Sequence, residues 1–157
     1  VFAAWSEIIQ QGRTPPKLVL AGAKHKVTVD CLELDFPDII PYVIFAENPN
    51  QNELMELYKQ AVALIIPSRI EGWGLPLGEA LWFGTPGISA RVDALIEVGG
   101  DLALYFDPLD AATLAEHVMR LEDDPTSAQA LRDQIVEAHP SLRRWSDVAK
   151  EMLRGIS

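Results

Sequence analysis

Residues Pro67–Pro86 read PSRIEGWGLPLGEALWFGTP, and the fold turns on how this stretch is parsed. The apolar run Ala63–Ile66 leads into it as a buried strand. Gly72 and Gly74 then turn the chain, and Pro76 suits the first turn of a helix reaching Phe83. Gly84-Thr85-Pro86 ends that helix, and Gly87–Ala90 reads as the next strand. A strand, a helix and a second strand in this order make a parallel crossover.

The same alternation extends both ways. Upstream, Phe2–Gln11 carries Phe2, Trp5, Ile8 and Ile9 at near-helical spacing and stops at Gly12. Lys17–Ala21 and Val43–Ala46 read as buried strands around a helix over Val27–Asp38. Asn52 is the expected cap of a helix over Glu53–Gln60, whose Leu54, Leu57, Tyr58 and Ala61 share one face. Downstream, Leu102–Phe106 supplies a last strand, and helices follow over Ala111–Glu122, Ser127–Ala138 and Ser146–Arg154, with Asp123–Thr126 as the connection between the first two. The fold class is α/β, a Rossmann-like parallel sheet with helices on both faces. At 157 residues, 48% of them hydrophobic, the chain has enough for one domain and too little for two.

In open α/β sheets, ligands bind outside the carboxyl ends of the strands, which is where the Gly72–Gly74 turn falls. Glycines let a ligand approach the backbone closely, and their N–H groups, with those of the following helix start, point at phosphate or hydroxyl oxygens. Glu71 stands in the turn and Glu79 eight positions later, about one turn inside the helix. A carboxylate accepts two hydrogen bonds at once, which suits the vicinal hydroxyls of a ribose or a hexose. The plainer reading is that Glu79 complements the positive helix start and Glu71 is a solvated loop acid.

Thirteen Lys and Arg stand against 23 Asp and Glu, giving a net charge of −10. That balance repels nucleic acid and anionic lipid at long range, so a phosphate would have to be held locally. Cys31 is the single cysteine, which excludes an internal disulfide, favours a reducing cytoplasm and reads as a small buried apolar residue. No apolar run approaches the roughly 20 residues that span a bilayer, and the first residues lack a signal-peptide pattern. His25, His117 and His139 have no metal-ligand spacing and read as surface or helix residues.

Glu71-Gly-Trp-Gly-Leu-Pro-Leu-Gly-Glu79 resembles the E-x7-E signature, EGFGLPxxE, of the retaining GT-B glycosyltransferases of family 4. Ala63–Ser68 before it, and Glu79-Ala80-Leu81 through Gly84-Thr85-Pro86 after it, resemble that family's apolar strand ending in PS and its EAMACGTP. Fainter similarity runs through Leu18–Gly22, Glu53–Ala61, Glu97 with Gly99, Asp107-Pro108 and a closing helix at Trp145. The resemblance implies a carboxy-terminal domain that binds a nucleoside diphosphate sugar, with Glu79 on the ribose and Glu71, the expected catalytic carboxylate, on the donor sugar. The backbone of Gly72, Trp73, Gly74 and Leu75 would meet sugar and diphosphate. It implies no metal ion and no other cofactor, and a full-length enzyme in the cytoplasm or at the cytoplasmic face of a membrane.

Three departures from the pattern stand out. The family's phosphate-gripping Arg and Lys, with the first strand of this domain, are expected upstream of Val1. Ser89-Ala-Arg-Val-Asp-Ala94 replaces a glycine pair in the loop before Glu97, with Arg69 or Arg91 as partial substitutes. The amino-terminal, acceptor-binding domain is absent from this chain, so the fragment alone is expected not to turn over. Trp73 stands where the family has Phe, a change accommodated if the ring packs beneath the turn. Two rival readings use the same residues. Gly72-x-Gly74-x-x-x-Gly78 with Asp93 imitates a dinucleotide fingerprint, which would make an oxidoreductase, although at least two other strand units precede the turn and the fingerprint belongs to the first. A non-catalytic nucleotide-binding module is the other.

Overall fold

The computed structural model describes residues 1–142, so the helix expected over Ser146–Arg154 and the Trp145 similarity lie outside the described residues. Helix α1 (Phe2–Gln10) buries Ala4, Trp5 and Ile8. The Trp5 indole donates to the Pro16 carbonyl at 2.8 Å, so a buried aromatic ties α1 to the segment that enters the first strand.

Strand β1 (Leu18–Gly22) is followed by α2 (Lys26–Asp35), a 3-10 segment over Pro37–Tyr42 and β2 (Val43–Glu47). Pro37 ends the expected helix early, since a helix stops at or before the residue preceding a proline. Helix α3 (Gln51–Gln60) opens on Asn50, not Asn52: Asn50 Oδ1 accepts from the N–H of Asn52 and Glu53, and Glu53 Oε2 accepts from the Asn50 N–H at 2.8 Å. This reciprocal capping box satisfies donors that Asn52, two residues too late, would leave open.

The order then is β3 (Leu64–Ile66), α4 (Leu75–Trp82), β4 (Gly87–Ala90), α5 (Asp93–Gly99) and β5 (Ala103–Phe106). Helices α6 (Ala111–Asp123) and α7 (Pro125–Ala138) close the described chain. Asp124 alone separates them and caps α7 by accepting from the N–H groups of Thr126 and Ser127. The short helix α5 has no counterpart among the sequence expectations.

All strand pairs are parallel. Leu18–Gly22 runs beside Val43–Glu47 in one ladder, and the other has the order β3-β4-β5 with Ile66 opposite Ser89 and Ser89 opposite Tyr105. The two ladders share one apolar core, in which Leu18, Leu32 and Ile39 join Ile66, Leu77, Ile88, Leu95 and Leu114. Strand β4 is buried along its whole length, as a central strand covered on both faces must be. Strands β1 and β2 differ from the expectation of buried strands. Val19 and Ile44 sit opposite each other and are both exposed, so this pair shows one wet face. Each of β1 and β3 is bonded along one edge among the described residues.

Two contacts clamp the second ladder. Gly87 begins β4 where a Cβ would overlap the Leu77 side chain, so α4 lies directly on the strand. On the opposite end, the half-buried Arg132 of α7 donates to the carbonyls of Ala61 at 2.6 Å and Gly84 at 3.2 Å. Ala61 caps the C-terminus of α3 and Gly84 follows that of α4, so one guanidinium answers the orphan carbonyls and negative dipole ends of two helices. Replacing Arg132 with Met keeps the apolar stem and removes these bonds, and is expected to cost about 1–2 kcal/mol, with Lys intermediate. Thermal unfolding checks this: a Tm that falls by several degrees supports the clamp, and an unchanged Tm contradicts it.

Candidate functional site

Because the strands are parallel, the turns after β3, β4 and β5 gather at one edge: 67–74, 91–92 and 107–110. The longest carries the glycine run. Gly74 is left-handed, with φ of 70°, and a Cβ there would stand 2.8 Å from Leu95 Cδ2 of α5. Both facts demand glycine, the first through backbone strain and the second through lack of room. The turn thus brings the start of α4 onto α5, where Leu95 is fully buried.

Helix α4 begins at Leu75 with Pro76 in its first turn, and this turn holds no acidic residue. No side chain among the described residues caps it. The positive end of the helix and the N–H of Leu75 are therefore left to something else, beside the exposed Gly72. This geometry suits an anion or a hydroxyl-bearing ligand.

Glu79 is exposed in the second turn of α4, beyond the reach at which a carboxylate best complements the dipole. Its Oε2 accepts a hydrogen bond from the Tyr58 hydroxyl at 2.9 Å. Tyr58 is buried on α3, its ring stacked on Phe83 with centroids 5.8 Å apart. Its carbonyl accepts from the fully buried Thr85 hydroxyl at 2.5 Å. Burial, then the hydrogen bond to Glu79 and its charge, push the Tyr58 phenol well above its ordinary range, so it remains a donor throughout the physiological range. Glu79 consequently keeps Oε1 and a further lone pair of Oε2 for a ligand.

Glu71 lies half-buried in the bend before Gly72, in the turn after β3. Arg69 is exposed there, next to Ile70 at 92% exposure. Arg91 belongs to the neighbouring turn: its N–H donates to the Phe106 carbonyl at 2.8 Å and its guanidinium lies 5.5 Å from the Tyr105 ring. The structure thus holds Arg91 against β5. The expected loop before Glu97 is corrected as well, since Ser89 and Ala90 finish β4 and Asp93 already starts α5, leaving a two-residue turn. Trp73 is 47% exposed, so its ring is not enclosed beneath the turn.

Tyr58 is the site residue the sequence reading missed. It was assigned to the apolar stripe of α3, where it does sit; the available signal was its hydroxyl, which needs a partner when the ring is buried. Two of the three histidines lie against backbone carbonyls. His117 Nε2 lies 3.1 Å from the Tyr105 carbonyl and His139 Nε2 3.2 Å from that of Leu81. Cys31 is half-buried, on a helix that buries only Leu32 completely. No group of His, Cys, Asp and Glu able to hold a metal ion occurs among the described residues, and no helix among them is long and apolar enough to cross a membrane.

Comparison with known proteins adds the lineage. The chain is 40% identical over 73 residues to the O-antigen chain mannosyltransferase B of Escherichia coli, which covers 46% of this chain and 19% of that protein. It is 33% identical over 113 residues to the D-inositol 3-phosphate glycosyltransferase of Acidothermus cellulolyticus, covering 71% of this chain and 25% of the relative. Among solved structures, sucrose-phosphate synthase from Thermosynechococcus elongatus superposes with a TM-score of 0.79 at 25% identity, over 98% of this chain and 39% of that one. WaaG, a glycosyltransferase involved in lipopolysaccharide biosynthesis, shares the fold, with a TM-score of 0.75 at 18% identity over 96% of this chain and 40% of its own. The chain therefore spans a quarter or less of these two curated relatives and about 40% of these two solved chains. The profile of the family described as glycosyl transferases group 1 matches residues 1–139, and the chain belongs to this family.

Proposed function

We propose that this chain is the donor-binding domain of a retaining glycosyltransferase of family 4, taking a hexose from a nucleoside diphosphate sugar. The carrying observation is Glu79, held by Tyr58 with acceptor capacity to spare beside an uncapped helix start. In this reading Glu79 accepts from the ribose hydroxyls and Glu71 from the donor sugar. The backbone at Gly72, Trp73, Gly74 and Leu75 meets the sugar and diphosphate, with Arg69 and Arg91 at the rim.

The reaction asks little covalent chemistry of the protein. The bond from the anomeric carbon to the diphosphate breaks while an acceptor hydroxyl attacks from the same face and passes its proton to the departing diphosphate oxygen, so the configuration is retained. Charge accumulates on the departing diphosphate, where fixed N–H dipoles stabilise it without reorganising. The acceptor, a glycan or lipid-linked glycan, is held by a second domain across the cleft. That the chain covers 39% and 40% of the two superposed glycosyltransferase structures supports this division. The free edges of β1 and β3 support a further parallel strand between the two ladders, which would give the doubly wound order.

Glu79→Gln is expected to weaken binding of a nucleoside diphosphate by roughly 1–3 kcal/mol, the size of losing hydrogen bonds to a charged group. Ligand-observed NMR against UDP, GDP and ADP reads this; an unchanged affinity refutes the ribose role. Glu71→Gln should instead slow sugar transfer by the enzyme with its acceptor domain more than it weakens binding of the bare nucleotide. Equal losses in the two assays would contradict the division of labour between the carboxylates.

A further inference from the structure

Tyr58 does more for the site than fill the core. Its ring is fixed from two directions, by stacking on Phe83 and by the Thr85 hydroxyl that grips its carbonyl. Thr85 is itself held on two sides: it is fully buried in the turn after α4, and its N–H donates to the Ala80 carbonyl at 2.8 Å. The Tyr58 hydroxyl therefore stands at a defined point above α4. Among the described residues it is bonded to the side chain of Glu79, which is exposed and otherwise samples the several rotamers of a glutamate on a helix surface.

We propose that Tyr58 is a positioning residue for nucleotide binding: through its hydroxyl it holds Glu79 in the rotamer that receives the ligand's vicinal hydroxyls. This rests on the reading of Glu79 as the ribose ligand. An unanchored glutamate must be ordered at the moment of binding, and that ordering is subtracted from affinity; the phenol orders it in advance. Buried and raised well above its ordinary range, the phenol stays protonated and continues to donate at any pH at which the protein is assayed. Thr85, Tyr58 and Glu79 then form a relay from the buried end of α4 to the ligand, in which only the last member touches it.

The test is a double-mutant cycle on this chain, with UDP, GDP and ADP as probes and dissociation constants read by NMR titration. Tyr58→Phe keeps the ring on Phe83 and deletes only the hydroxyl. The expected result is a Kd raised about three- to tenfold for whichever probe binds the parent chain, as for loss of one hydrogen bond. In a Glu79→Gln background the same substitution should add little, because the group it orders no longer serves. A general loosening of the core would weaken binding alike in both backgrounds, and that result overturns the proposal. So does a Tyr58→Phe variant that binds like the parent while Glu79→Gln binds weakly, an outcome that leaves the ribose reading standing. If Glu79→Gln itself binds like the parent, or no probe binds the parent, the ribose reading falls and the proposal with it. Thr85→Val, which keeps shape and loses the hydroxyl, gives a second variant, expected to raise Kd in the same direction and to lose its effect when combined with Tyr58→Phe.

Discussion

The structure depends on a point where no side chain fits. At Gly74 the backbone is left-handed and presses on Leu95 of α5, so the chain can leave β3, turn and start α4 in contact with its neighbour only because the residue has no Cβ. From that contact the rest follows. It sets where the first free N–H groups of α4 point. It also seats α4 on β4, where Gly87 allows Leu77 to lie against the strand.

The electrostatics follow the same economy. A chain with a net charge of −10 does not gather a phosphate from a distance, and the turn carries its attraction in backbone dipoles instead of a basic cluster. A helix start without an acidic residue in its first turn retains its partial positive charge. Glu79 is set in the second turn of α4 and is engaged by the Tyr58 phenol, which keeps it off the helix end.

Much of this was legible in the sequence for physical reasons. Gly87–Ala90 was delimited correctly because a short apolar run between Gly84-Thr85-Pro86 and Arg91 admits little else, and Pro76 marked the start of α4 through its missing N–H. The failures are equally physical. Asn50 and Asn52 are both competent caps, and only the reciprocal bond from Glu53 decides between them. Helix α5 is seven residues with two glycines following its apolar positions, too short for periodicity to declare itself. Val19 and Ile44 read as core because composition reports apolarity and not which face of a strand is covered. The partnership of Tyr58 and Glu79 joins positions 21 apart through tertiary packing, beyond any local signal.

The central claim is that the edge formed by the ends of β3 and β4 receives a nucleoside diphosphate. Mapping amide chemical shifts of the chain during titration with UDP, GDP and ADP tests it most directly. The account predicts that the amides of Gly72, Trp73, Gly74, Leu75 and Glu79 shift together and saturably with one of the three. Saturable shifts centred elsewhere, for example between α1 and α6 around Gln11 and Asp123, would contradict it.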